Sequence, residues 1–463
     1  MAMTDGHGLS SRLAEHVMQF PAENLTPATL HAAKRVLLDG IGVMLGASGV
    51  SPEIAPFVDY AIANGAGGAT IIGHDVKVGA AMAAFANGAM GHALDFEDAF
   101  DAAPSHPNAA LLPAVLAIAE TAGPVGGRDL LAAIAIGCDL VCRLGLGLRR
   151  EMEAGGWYPP PILGAFGAVA AAGRLRRLSP QQMLDAFSLT LCQATMPGEI
   201  KYARDTVIRA VREAFPAQVA VQASALAAAG VRGFDAPFEG RAGFFRLYAE
   251  GQYDPTTILD RLGEKFWIED LSFKRWPACR GTHAYIEAAQ MLRARYDIAP
   301  DAITGIVATG GEVQIMLVEP AERKSAPSTV IDAKFSIPFT IAAAFIDAEV
   351  TLDSFDPASL NDPRKRDLAA KVVFDRRPDW GRERAASGSL VVTLANGARL
   401  EQTIDMAAGD PTRPIADADL TAKFRDCARR ARHPLTPHAI DRLAEAIWSI
   451  DEAGDAAKQL FRN

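Results

Sequence analysis

Four stretches of this chain consist almost wholly of alanine, glycine and larger apolar residues: AAMAAFANGAMGHAL, NAALLPAVLAIAE, DLLAAIAIGCDLVCRLG and FGAVAAAGRL. As helices, several of them are apolar nearly all round, and such a helix must be buried in a large core or at a subunit interface. Alanine and glycine let helices approach closely. The chain is therefore expected to form a tightly packed helical bundle. With 49% hydrophobic and 22% charged residues over 463 positions, it has enough apolar surface for that core and too little charge for disorder.

Local signals place the first helices. Thr26-Pro27 offers an N-cap followed by proline at the first helical position, where no amide hydrogen is needed. Leu30, Ala33, Leu37, Ile41 and Met44 then recur at helical spacing. Ser179-Pro180 repeats the signal, with Gln182 placed to close a capping box. After about Glu264 the character changes. ITGIVATG, KVVFDRR and LVVTLANGARLEQTID have strand composition, and Asn396-Gly397 is a two-residue hairpin signal. Helices are expected at AYIEAAQMLRARY and IPFTIAAAFI, and helical pattern returns in PHAIDRLAEAIWSI. The reading is mainly α: a large all-helical domain, 1–266 plus 406–463, with a smaller α+β domain inserted at 267–405.

Several function classes are set aside. A net charge of −9 argues against nucleic-acid binding, which needs a basic surface, but leaves room for a basic pocket that takes a small anion. Five cysteines, an odd and sparse set, argue against a disulfide framework, and Cys138 and Cys142 read as core residues with no zinc partners. No apolar signal core opens the sequence, and no run of about 20 uninterrupted apolar residues is seen, so neither membrane nor export is expected and the cytoplasm follows by default. No glycine-rich nucleotide loop, Walker loop, zinc helix or nucleophile elbow is present. Chemistry here would run on side chains, with no cofactor and no metal.

Four constellations carry such chemistry. GHALDFEDAFDAAPSHPNAALLPA gathers His92, Asp95, Glu97, Asp98 and Asp101 at a helix end and presents His106 after a proline-bounded loop. A histidine near a carboxylate is the usual general-base arrangement, though a solvated acidic helix end fits equally well. FKRWPACRGTHAYIEAA sets Lys274, Arg275 and Arg280 beside Cys279 and His283, a pattern suited to carboxylate capture. Lys201, Arg204, Arg209 and Arg212 precede a small-residue helix, where cations oppose the macrodipole. They bind an anion there or, more commonly, pair with the surface. GGWYPPPILG forms a stiff turn whose Tyr158 is a donor or, more commonly, packing.

LLDGIGVMLGAS, NGAMGHALDFEDAF, SHPNAALLPAVLA, GAFGAVAAAGRL, FEGRAGFF, KRWPACRGTH and AKFSIPFTIAAAFI, in this order, resemble the MmgE/PrpD family over nearly the whole chain. That family includes 2-methylcitrate dehydratases, cis-aconitate decarboxylases and an iminodisuccinate epimerase. The resemblance implies a cofactor-independent homodimer with an active site between the helical domain and an α+β lid. It implicates Asp95, His106 and Lys274. Five positions depart from the decarboxylase pattern: Tyr158 for His, Arg209 for Lys, Cys279 for His, Phe339 for Tyr and Ala99 for Thr.

The implied chemistry is removal of a proton next to a carboxylate of a small polycarboxylate. His106, oriented by Asp95, would exchange the proton; Lys274 and Arg209, with Arg280 in support, would clamp carboxylates. Tyr158, Cys279 and His283 are candidates for a second proton donor. Elimination of water is the expected outcome. Epimerisation of a related dicarboxylate and a non-catalytic binding role are the alternatives.

Overall fold

The computed structural model describes residues 8–103, 105–203 and 206–461. Helix accounts for 59% of the chain and strand for 9%, which makes the fold mainly α. The chain divides into two compact units. The larger comprises Met1–Ala93, Ala103–Leu271 and Ala416–Asn463; the smaller comprises Leu94–Ala102 and Ser272–Ile415. The smaller unit thus begins a few residues later than the sequence pattern marks, and it also takes a nine-residue excursion, Leu94–Ala102, from the middle of the helical region.

In the larger unit, Thr26 caps helix Pro27–Val50 by accepting from the Thr29 amide at 3.0 Å. Ser179 and Gln182 close a reciprocal capping box on helix Pro180–Leu191. Helix Pro159–Leu175 packs against helices Leu111–Thr121, Gly127–Gly147 and Ala214–Ala228. The small residues have a specific use at one of these crossings. A Cβ on Gly137 would lie 2.6 Å from the carbonyl oxygen of Gly167, and one on Gly167 would lie 2.5 Å from that of Gly137. The two backbones touch, and any side chain would force the helices apart. Helix Asp417–Arg429, after the inserted segment, returns to pack on Pro27–Val50, where Lys423 reaches the buried Asp39 at 2.7 Å.

Helix Gly127–Gly147 is long and apolar enough by composition to cross a membrane, but 94% of its most apolar stretch is buried inside the protein. Its interior carries an ion pair, Arg143 to Asp139 at 2.5 Å, with both side chains buried. The guanidinium also donates to the carbonyls of Ile258, Asp260 and Lys265, which fastens that loop to the helix. This unit holds one short hairpin, Ala66–Thr70 with Lys77–Val78, whose glycines hide it from a strand pattern. Cys138 and Cys142 are buried, as core residues are.

The smaller unit is built on a four-stranded sheet in the order Val372–Arg376, Ile303–Gly310, Gly388–Leu394, Arg399–Ile404. The first pair is parallel and the other two are antiparallel. Helix His283–Tyr296 packs on strands Gly388–Leu394 and Arg399–Ile404 on one side and on helix Ile337–Asp347 on the other. The Asn396-Gly397 hairpin forms with one residue more than the two-residue signal implies. The Leu394 amide donates to Ala398, the Gly397 amide donates back to Leu394, and Gly397 takes φ +82°. This is a three-residue loop whose last position is left-handed, the role that glycine fills without strain.

Candidate active site

The first constellation changes unit along its length. His92 and His106 belong to the larger unit, while Asp95, Glu97, Asp98 and Asp101 belong to the smaller. The acids are not a solvated helix end: Asp95, Glu97 and Asp98 are all buried.

In the larger unit, His92 lies in the last turn of helix Ala80–Ala93 and is fully buried. Its ring centroid is 5.2 Å from that of His106, with the planes inclined at 57°. A glycine one turn earlier sets this position. A Cβ on Gly88 would stand 2.6 Å from the Glu213 carbonyl oxygen and 2.9 Å from the Ala214 Cα, so the helix lies directly against the start of helix Ala214–Ala228. Arg212, just before that helix, then reaches His92 Nε2 through its Nη1. The same guanidinium donates to Glu213 Oε1 at 3.1 Å and to the Arg209 carbonyl at 2.8 Å. It also stands 5.1 Å from the ring centroid of Tyr158, and Lys201 Nζ stands 5.4 Å from that ring. Tyr158 is buried at the head of helix Pro159–Leu175, its amide bonded to the Met196 carbonyl.

Arg209 is buried too. Surface pairing, the commoner fate of such a basic run, applies to neither Arg209 nor Arg212. Lys201 is near Glu153 at 3.5 Å, and Arg204 lies outside the described residues. The larger unit thus gathers buried cations, a histidine pair and a phenol in one chain of contacts.

In the smaller unit, Lys274 Nζ donates to Asp95 Oδ1 at 2.6 Å and to the Asp95 carbonyl at 3.1 Å. Both side chains are wholly buried. Burial favours the neutral amine, but Asp95 and then Glu97 outweigh it and hold the lysine above its ordinary pKa. Asp95 takes φ +48°, a left-handed conformation uncommon outside glycine that Asp and Asn tolerate best. A second buried lysine, Lys334, donates to the Leu94 carbonyl at 2.6 Å, so two lysines grip the start of this turn.

Arg280 donates from Nε to Asp101 at 3.0 Å, from Nη1 to the Ala408 carbonyl at 2.8 Å and from Nη2 to the Ala407 carbonyl at 3.1 Å. Those bonds bind the turn to a strand end more than a hundred residues away. His283 Nε2 donates to the Ala278 carbonyl at 3.1 Å. Burial first, then Arg280 and Lys274, push its pKa well below the usual imidazole range. Cys279 is half-buried; its amide donates to the Lys334 carbonyl at 3.0 Å. Phe339 is fully buried, 6.2 Å from the Phe355 ring, and Ala99 bridges Ser272 by two backbone bonds.

The basic run before helix Ala214–Ala228 marked Arg212, as a cation placed where it opposes a helix dipole; pattern alone did not mark Glu213 or Lys334.

Comparison with known proteins bears on what these residues do. The N-terminal domain model of the MmgE/PrpD family matches residues 11–256, and the C-terminal domain model of that family matches residues 276–448. The cis-aconitate decarboxylase-like protein oryM of Aspergillus oryzae is 26% identical, over 99% of this chain and 98% of that one. The cis-aconitate decarboxylase of Homo sapiens is 27% identical, over 94% and 90%. That of Aspergillus terreus is 23% identical, over 91% and 89%.

Proposed function

Because the chain belongs to the MmgE/PrpD family, we propose that it is a lyase that abstracts a proton next to a carboxylate of a small polycarboxylate and eliminates water, as a 2-methylcitrate dehydratase would. The observation that carries this reading is the contact chain in the larger unit. There, buried Arg212 joins the Tyr158 ring to the His92–His106 pair and donates to the carbonyl of buried Arg209. Anion capture and proton transfer are the two demands of the reaction, and both kinds of group are present.

In this scheme His106 takes the α-proton. The electron pair left on carbon spreads into the adjacent carboxylate, and fixed cations stabilise the charge as it develops. Arg209 holds a carboxylate bidentately, as a guanidinium does and an ammonium does not. Lys274, kept charged by Asp95, supplies a second cation. The pair then returns to form the C=C bond, the β-C–O bond breaks, and hydroxide leaves as water on taking a proton. Tyr158 is the donor we favour for that proton. Cys279 is the alternative. Arg280 and His283, engaged with carbonyls of their own unit, are read as scaffold.

Decarboxylation is the second reading, because the three relatives described above carry that name. Phe339 and Tyr158 weigh against it, since each departs from the decarboxylase pattern. Proton NMR in heavy water with 2-methylcitrate, citrate, cis-aconitate and iminodisuccinate separates the outcomes. A new olefinic signal from a hydroxy acid is expected. Loss of a carboxylate from cis-aconitate would establish the decarboxylase. Deuterium uptake without net loss would establish an epimerase. Silence across the panel would overturn the lyase reading in favour of a binding protein.

A further inference from the structure

The contact between Arg212 and His92 fixes a proton. A guanidinium has donors only, so the His92 Nε2 that faces Arg212 Nη1 must be an acceptor. A neutral imidazole with an acceptor Nε2 carries its hydrogen on Nδ1. We propose that Arg212 is a positioning residue that locks His92 as the neutral Nδ1–H tautomer, so that the ring packed on His106 carries no charge. This inference rests on the functional reading above only for its catalytic consequence.

The lock works against a local tendency. His92 sits in the last turn of helix Ala80–Ala93, where the helix dipole favours a cation and would draw a second proton onto the ring. Two cationic imidazoles with centroids 5.2 Å apart would repel in a buried setting. Arg212 removes that option, because a proton on Nε2 would face a permanent positive charge. Glu213, paired with Arg212 Nε at 3.1 Å, offsets the guanidinium charge. The bond from Arg212 Nη1 to the Arg209 carbonyl at 2.8 Å fixes the direction of the fork. Within the larger unit, Arg212, its counter-ion Glu213 and His106 face His92. Of the two neighbouring rings, the lock leaves His106 as the one that exchanges a proton.

The tautomer is read directly from the wild-type protein labelled with 15N-histidine. Long-range proton–nitrogen correlation, assigned by a His92→Gln spectrum, should show His92 with a protonated Nδ1 and an unprotonated Nε2. His283 is an internal control of opposite sense, since its Nε2 donates to the Ala278 carbonyl. A His92 protonated on Nε2, or on both nitrogens, in the wild type would overturn the proposal. In Arg212→Met the His92 pattern should change, and kcat should fall at least about tenfold with KM within about threefold, a part of the 10²–10⁴ that a general base contributes. Arg212→Lys, which keeps a donor-only cation, should restore the tautomer and part of kcat. An unchanged tautomer in Arg212→Met would also sink the idea. If the wild type turned over no substrate, the lyase reading would fall, while the tautomer spectra would still decide the lock.

Discussion

Replacing Lys274 by methionine keeps the length of the side chain and deletes its charge. In the folded protein that ammonium lies 2.6 Å from Asp95 Oδ1 and 3.1 Å from the Asp95 carbonyl, with both side chains wholly buried. At 2.6 Å and an effective dielectric of about 20 the attraction is about 6 kcal/mol. Much of it offsets the desolvation of the two ions. What the variant loses is set by the carboxylate left behind, and breaking a buried pair from one side costs roughly 3–5 kcal/mol. Adding Asp95→Asn removes the stranded charge and keeps a residue that tolerates φ +48°. The double variant should recover at least about 2 kcal/mol of the loss. Turnover should not return in either variant. Urea unfolding read through the smaller unit, with the NMR assay in parallel, measures both.

The pH dependence follows in sign. The folded pKa of Lys274 lies above its unfolded value because Asp95 and Glu97 outweigh burial. The stabilisation is therefore complete below about pH 10.4 and is lost as the pH rises through the folded value. The gap between wild type and variant should be flat from pH 6 to about 10 and close only as the pH rises beyond the unfolded value toward the folded one. A single variant that lost less than about 1 kcal/mol would show that the pair is not desolvated. A double variant that restored turnover would remove Lys274 from the chemistry.

Three further outcomes are expected. His16, packed against Phe20 and Phe266, has its pKa lowered to about 4, by burial first and then by Arg143 and Arg174. Stability should fall by up to about 3 kcal/mol as the pH drops from about 6.5 to 4; His16→Phe should flatten that limb in urea titrations, and an unchanged slope would refute the assignment. Arg143→Met should cost roughly 3–5 kcal/mol, because Asp139 loses its cation and four loop carbonyls lose a donor, and Asp139→Asn on that background, which keeps an acceptor for the Trp267 amide, should restore part of it by thermal unfolding. Exposed Tyr60 and Phe215 cluster with Phe57 and Phe85 into an aromatic face; under the homodimer that the family resemblance implies, and which we propose to use this face, light scattering should give a dimer for the wild type and a monomer for Tyr60→Lys with Phe215→Glu.

How much of this was legible in the sequence depends on the range of the interaction. Thr26, Ser179 and Gln182 act within three residues of themselves, and the structure shows their caps. The strands around Val307, Val373 and Val391 and the Asn396-Gly397 loop were readable for the same reason; the loop differs by one residue because register depends on the partner strand. The basic run before helix Ala214–Ala228 was visible as a run, but its burial was not, because Gly88 and the helix it lies in supply the wall. Arg280 looked suited to carboxylate capture; its acceptors at Ala407 and Ala408 come from a strand end far along the chain.

Sequence alone therefore determined the bundle of small-residue helices and the set of residue types available for chemistry, which follow from composition, period and local order, and the family, which the resemblance of its motif blocks implied. The tertiary structure decided which unit holds the acids at 95–101, which cations are buried, and which nitrogen of His92 accepts. Those outcomes turn on which groups lose water and which donor comes to face them. No residue settles that by itself, because the partner that excludes the water arrives from elsewhere in the chain.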